Sequence, residues 1–193
     1  MESSSILYFY THSRCSKWKA PERGCFKINT DGACQSLLGI AASGGILRDY
    51  KGEVKGGFMF NIGQGGSFLA EVWGILMGLR CAWDLGVRSV VLETDCLEAV
   101  VECLEDDRVH GLEVSHIFYQ IRDMLKMDWD VRIEWVRRDC NNIADKLAHR
   151  ALHVGQGVVG FIEVPDFIAE EVDQEKLLCY LSSLVLICNP KKK

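Results

Sequence analysis

A chain of 193 residues, 48% hydrophobic and 25% charged, has the apolar content of one packed domain, which excludes a largely disordered polypeptide and leaves no comfortable room for two domains. A net charge of −5 excludes broad electrostatic adhesion to nucleic acid and leaves only local basic patches for that role. Nine cysteines, odd in number and without a C-x-x-C pair, read as reduced thiols of an intracellular chain rather than as a disulfide framework or a zinc site; cytosol, nucleus and organelle stay open.

Residues 1–23 are polar, mixed and mildly basic, and read as a lead-in. Their MESSSILYFYTHSRC start has a short apolar patch and no basic n-region, so it is not expected to be a secretory leader. Alternation in Phe26-Lys27-Ile28-Asn29-Thr30 predicts a strand that closes at Asp31. GIAASGGILR (Gly39 to Arg48) and Val54 to Ile62 predict a hairpin around the turn DYKGE. GQGG breaks the pattern, and Ser67 is a candidate cap for a long helix with Phe68, Val72, Ile75, Leu79 and Ala82 at helical spacing and Gly86 as its stop. Arg88 to Asp95 predicts a fourth strand, Leu97 to Leu104 and Leu112 to Met127 two helices, Val131 to Val136 a fifth strand, and Asn142 to about Val154 a last helix.

The first three strands read as antiparallel, and each later strand is reached through helices, which favours parallel pairing. The expected class is therefore α/β, a mixed five-stranded sheet flanked by helices. LLCYLSSLVLIC (Leu177 to Cys188) is apolar yet too short for an ordinary membrane span. A buried terminal helix or strand is its first reading and a membrane-surface tail its second, and no membrane partner is expected. The chain divides into a lead-in (1–23), a domain (24–165) and a C-terminal extension with an apolar tail (166–193).

Four carboxylates stand at suggestive places. Asp31 and Asp95 close strands, and ligand sites of open α/β sheets gather at the carboxyl ends of strands. Glu71 borders the apolar stripe of the first long helix, and Asp145 sits between Ala144 and Leu147 near the start of the last one. Singly, each has an ordinary role as turn residue, helix cap or first-turn acid. Together at one sheet edge they repel one another, which makes physical sense once divalent cations lie between them. Oxygen-only ligands suit Mg²⁺ or Mn²⁺, and two such ions activate water and stabilise the leaving oxygen in phosphodiester hydrolysis. On that reading Gly32 and Ala33 leave room for a nucleic-acid backbone over Asp31.

The segments FKINTDGA, GGILRDYKGE, AEVWGILMGLRCAWDLG, VVLETD and NNIADKLA, in this order within about Lys17 to Pro165, resemble the ribonuclease H family. Among its members the chain is most similar to plant RNase H-like domains related to retroelement reverse transcriptases, a likeness that SKWKAPERGCFKINTDGA and VPDFIAEEVDQEKL share. The resemblance implies an RNase H-like fold and a metal-dependent endonuclease that hydrolyses the RNA strand of RNA/DNA hybrids. It implies two Mg²⁺ ions, with Mn²⁺ as a substitute, and Asp31, Glu71, Asp95 and Asp145 as catalytic metal ligands. It implies that backbone atoms at Gly32, Ala33 and Cys34 read 2′-hydroxyls, the feature that separates RNA from DNA. Arg138 is a further candidate substrate contact.

The sequence departs from the family pattern in two respects. The Gly/His-containing loop that precedes the last Asp in type 1 enzymes is absent, since only Arg137 to Ala144 separates the fifth strand from Asp145. His149, one helical turn after Asp145, is the candidate auxiliary in its place. The segment EDDRVHG between the two middle helices is acidic where some bacterial members carry a basic protrusion. Phosphate contacts then fall to scattered residues such as Arg48, Lys51, Arg137, Arg138 and Lys146, which predicts salt-sensitive binding. The alternative is a catalytically weak or inactive binding or interaction module on the same fold. A proofreading-type exonuclease fits poorly, because Asp31-Gly32-Ala33 lacks the expected Asp-x-Glu; a generic α/β domain with structural acids is the remaining reading.

Overall fold

The computed structural model describes residues 17–104 and 111–188. β1 (Phe26–Gln35), β2 (Ile40–Arg48) and β3 (Val54–Gln64) form an antiparallel meander, with Ile28 opposite Leu47 and Asn29 opposite Ile46. Asp49 fixes the β2–β3 turn by accepting from the backbone N–H groups of Lys51 and Glu53. α1 (Ser67–Asp84) follows, and Gly86 just beyond it takes a φ of 76° that ends the helix cleanly. Then come β4 (Ser89–Thr94), α2 (Leu97–Leu104), α3 (Leu112–Leu125), β5 (Asp130–Trp135), α4 (Asn142–Ala151), β6 (Gly157–Phe161) and α5 (Asp166–Cys188). β4 pairs parallel with β1 and with β5, β6 pairs antiparallel with β3, and the sheet runs β5-β4-β1-β2-β3-β6.

Successive strand residues point to opposite faces, and the sheet is covered on both. On one face Ile28, Leu47 and Phe58 pack with Ile75 and Leu79 of α1, Val100 of α2 and Phe118 of α3 in the main apolar core. On the other, Ile46 packs with Ile143 and Leu147 of α4 and with Ile168 and Val172 of α5. Two glycines seat the helices. A Cβ on Gly32 would lie 2.4 Å from the Glu71 backbone nitrogen, and a Cβ on Gly44 would lie 2.4 Å from that of Ala148, so only glycine lets α1 and α4 come down so close.

The expected α/β class and mixed sheet are found, with six strands instead of five. β6 is short, carries two glycines and leaves Val158 and Val159 exposed, so it has no alternating pattern; main-chain pairing with the edge of β3 makes it a strand. β1 does not end at Asp31. It runs on to Gln35 because β2 offers backbone partners to Ile40, while its parallel partner β4 stops earlier. Ser67 is the first helical residue and not the cap; Gly66 holds the cap position without a side-chain bond. The apolar tail is helical, as one of its readings had it, yet Leu177, Tyr180 and Leu181 are exposed rather than buried. Among the described residues no helix is long and apolar enough to cross a membrane. The seven cysteines with described side chains are free thiols. The apolar patch and Cys15 near the start, residues 105–110 of the acidic segment, and the final NPKKK apart from its placement in the sequence lie outside the described residues, as does the side chain of Cys188.

Candidate metal centre

The parallel pairing of β1 with β4 ends at Asn29 opposite Glu93. Continuing that register by two residues brings Asp31 alongside Asp95, just past the last residue of β4. Beyond this point the β4 side of β1 is unpaired, and a notch opens. α1, seated on Gly32, carries Glu71 into it. Asp31, Glu71 and Asp95 each offer a carboxylate oxygen, and these oxygens all lie within 4.8 Å of one another.

Such crowding has an electrostatic cost. Burial first, then the charges of Glu71 and Asp95, push the Asp31 carboxyl up to about 9, although its Oδ1 accepts from the Gly32 N–H at 2.8 Å. Burial and the Asp95 charge likewise push Glu71 up to about 7. Asp31 Oδ2 and Glu71 Oε2 are buried with no hydrogen-bond partner among the described residues. An orphaned buried oxygen of this kind costs about 1–3 kcal/mol, and more when charged. Hard oxygen donors converging on one point, some without a protein partner, are the donor set that fits a hard divalent cation.

Asp145 stands beside this trio and not within it. Its carboxylate accepts from Arg138 Nη2 at 3.0 Å and lies 3.5 Å from His149 Nδ1, and the Asp145 charge adds to the upward push on Asp31. Three of the four predicted acids are thus brought together, and the fourth faces them from α4 with a guanidinium on it. His149 is exposed, with its Nδ1 3.0 Å from the Asp145 backbone carbonyl one helical turn earlier and 3.5 Å from the Asp145 carboxylate.

The predicted substrate contacts fare unevenly. The missing side chain of Gly32 makes room for α1, not for a ligand, and Ala33 is buried. Cys34 is half-buried, with its thiol directed at the Gly65 carbonyl. Arg48 is no phosphate contact: it is 2% exposed and its guanidinium is held in the interior. Lys146 is engaged by Glu171 of α5 and Arg137 by Asp139. Arg138 stays exposed at the rim of the notch. Sequence reasoning missed Asn141, whose Nδ2 reaches both the Thr30 carbonyl at 2.9 Å and Asp95 Oδ1 at 3.4 Å. The signal lay in NNIADKLA, where an Asn precedes the acid by one helical turn. It also missed Asn29, a polar residue buried in β1 two positions before Asp31.

Comparison with known proteins identifies the family and the fold. Residues 29–151 match the family described as reverse transcriptase-like. A curated protein of Arabidopsis thaliana, provisionally named a ribonuclease H protein, is 36% identical over 178 residues, covering 91% of this chain and 28% of its own length. This chain therefore spans little more than a quarter of that relative. The RNase H1 of the halophilic archaeon Halobacterium salinarum superposes with a TM-score of 0.62 at 25% identity, over 66% of this chain and 97% of that one. LC11-RNase H1, crystallised in complex with an RNA/DNA hybrid, superposes with a TM-score of 0.59 at 22% identity over 66% and 96% of the two chains, a likeness of fold.

Proposed function

The chain belongs to the reverse transcriptase-like family and has the ribonuclease H fold, and we propose that it is a metal-dependent endonuclease acting on the RNA strand of RNA/DNA hybrids. The observation that carries the reading is the trio of buried Asp31 and half-buried Glu71 and Asp95, with carboxylate oxygens within 4.8 Å of one another. Asp31 and Asp95 would hold the cations most directly, Glu71 the second of them, and Asp145 would complete the first site once Arg138 released it. These residues would hold two Mg²⁺ or Mn²⁺ ions, whose Lewis acidity would serve the attacking water and the leaving oxygen. Arg138, exposed at the rim of the notch, then has the charge and position to meet a backbone phosphate. The backbone at Gly32 to Cys34 borders the same notch and carries the groups that suit 2′-hydroxyl contacts.

The test is cleavage of an end-labelled RNA/DNA hybrid at low salt with Mg²⁺ or Mn²⁺, with single-stranded RNA and duplex RNA as controls. Hybrid-only cutting is expected. Asp95→Asn is expected to reduce it by on the order of 10³-fold, since several kcal/mol of charge stabilisation is lost. Equal cutting by the variant sinks the assignment.

A second reading draws on two observations: Asp145 is paired to Arg138, and no histidine stands between β5 and Asp145. A chain held in that state is a hybrid-binding module of little or no activity. Folded protein that binds the hybrid at enzyme excess without cutting it selects this reading.

A further inference from the structure

A single file of buried polar groups leads from α5 to the metal centre. Glu175 accepts from Arg48 Nη1 at 2.5 Å, and Arg48 Nη2 donates to Asn29 Oδ1 at 2.8 Å. The Asn29 amide then donates to Glu93 Oε2 at 2.9 Å and to Asn141 Oδ1 at 3.3 Å. Asn141 in turn donates to Asp95 at 3.4 Å. Two side supports hold the file. The Arg48 guanidinium lies on the Trp18 ring, 3.5 Å from its centroid, and Lys27, bonded to the Lys19 carbonyl, pairs with Glu93 at 2.5 Å.

A file of this kind is a poor way to gain stability. Buried ion pairs rarely repay their desolvation, and apolar side chains of like volume commonly do better. Its chemistry is directional instead. Arg48 is a pure donor, so the Asn29 end it touches must be the carbonyl oxygen, and the amide nitrogen must face Glu93 and Asn141. That fixes the acceptor end of Asn141 and points its donors at Thr30 and Asp95. Groups that orient metal-binding carboxylates typically change metal affinity 10- to 100-fold when removed. Glu175, Trp18 and Lys19 all lie outside residues 29–151, the span matched to the family.

We infer that Glu175, Arg48 and Asn29 are positioning residues that act through Asn141 on Asp95, so that α5 orients the metal centre along the sheet face that it covers together with α4. The inference rests on the metal-centre reading given above.

The test measures Mn²⁺ affinity of the full chain by calorimetry, with the Mg²⁺ dependence of hybrid cleavage beside it. Arg48→Lys keeps the charge but loses the fork that spans Glu175 and Asn29, and on the order of tenfold weaker Mn²⁺ binding is expected. Glu175→Gln, with three side chains between it and Asp95, is expected to weaken it about threefold, less than the loss of a group in direct contact with a ligand. Ile168→Ala, which removes apolar packing from α5 and leaves the polar file intact, is the control: its thermal midpoint falls and its Mn²⁺ affinity holds. Native-like affinity in folded Arg48→Lys and Glu175→Gln, or an equal loss in Ile168→Ala, overturns the inference. Should Arg48→Lys not fold, Glu175→Gln decides, because Glu175 is partly solvent-exposed. If the native chain itself binds no Mn²⁺, the metal-centre reading fails and this inference with it; native binding with indifferent variants sinks this inference alone.

Discussion

Leu47 and Arg48 are consecutive on β2, and they enter two unlike interiors. Leu47 joins a continuous apolar core with α1, α2 and α3, in which Ile75, Leu79, Leu92 and Ile121 are wholly buried. Arg48 enters a layer where a small apolar cluster lies beside buried Lys27, Asn29, Glu93 and Asn141. The first interior is non-directional and asks only that close-packed apolar side chains fill its space. The second is directional, because each donor requires a particular acceptor. The difference teaches a division of labour: one face of the sheet supplies cohesion, and the other supplies orientation to the carboxylates at their shared edge.

The largest expected effect tests cohesion. Leu79→Ala opens a cavity in the dry face and should cost about 2–5 kcal/mol by denaturant unfolding, while the folded fraction keeps its Mn²⁺ affinity. A changed affinity would break the comparison. Next come the two seating glycines. Gly32→Ala and Gly44→Ala should each cost about 1–3 kcal/mol by forcing α1 or α4 outward. Gly32→Ala should also depress hybrid cleavage the more strongly, because α1 carries Glu71 while α4 carries only the outlying Asp145.

A smaller effect follows pH. Asp31 and Glu71 sit above the usual carboxylate range, so the folded chain holds protons that the unfolded chain gives up. Their stabilising contribution is complete below about pH 4 and is lost as pH rises through about 7 for Glu71 and about 9 for Asp31. The thermal midpoint of the metal-free chain should fall by several degrees across that window. Saturating Mn²⁺, which favours the ionised forms, should flatten the profile, and so should Asp31→Asn without metal. A level profile in the metal-free native chain would show that the trio is not protonated. The smallest effect is expected at the rim: Arg137→Ala breaks only an exposed pair with Asp139 and should leave both midpoint and cleavage unchanged.

The dry face was the more legible in the sequence. Leu69 to Ala82 repeats at the helical period and VVLET is a plain apolar strand, so α1 and β4 follow from local pattern alone. Glu71 and Asp95 are legible because they lie in α1 and directly after β4, and Asp31 because it follows the alternating start of β1. The other face depends on contacts that local pattern does not carry. Arg48 reads as a surface charge at the end of a hairpin strand, and only α5 and Trp18 make it an interior residue. Gly32 to Gln35 reads as a turn after an acid, and only the length of β2 extends it into a strand. β6 owes its form to an unpaired neighbour rather than to its own composition.

The partner of Arg48 lies 127 residues farther along the chain. During synthesis the meander, α1 and β4 leave the ribosome well before Glu175 does, at about 5–20 residues per second. For that interval, some seconds or more, the guanidinium has no anionic cap from α5, and the face that α5 will cover is open to water and to other nascent chains. The polar surroundings of the acidic trio are therefore completed only after α5 is made, although Asp31 is made early. A nascent chain that stalls after α4 would possess all four acids and still lack the helix that completes their setting.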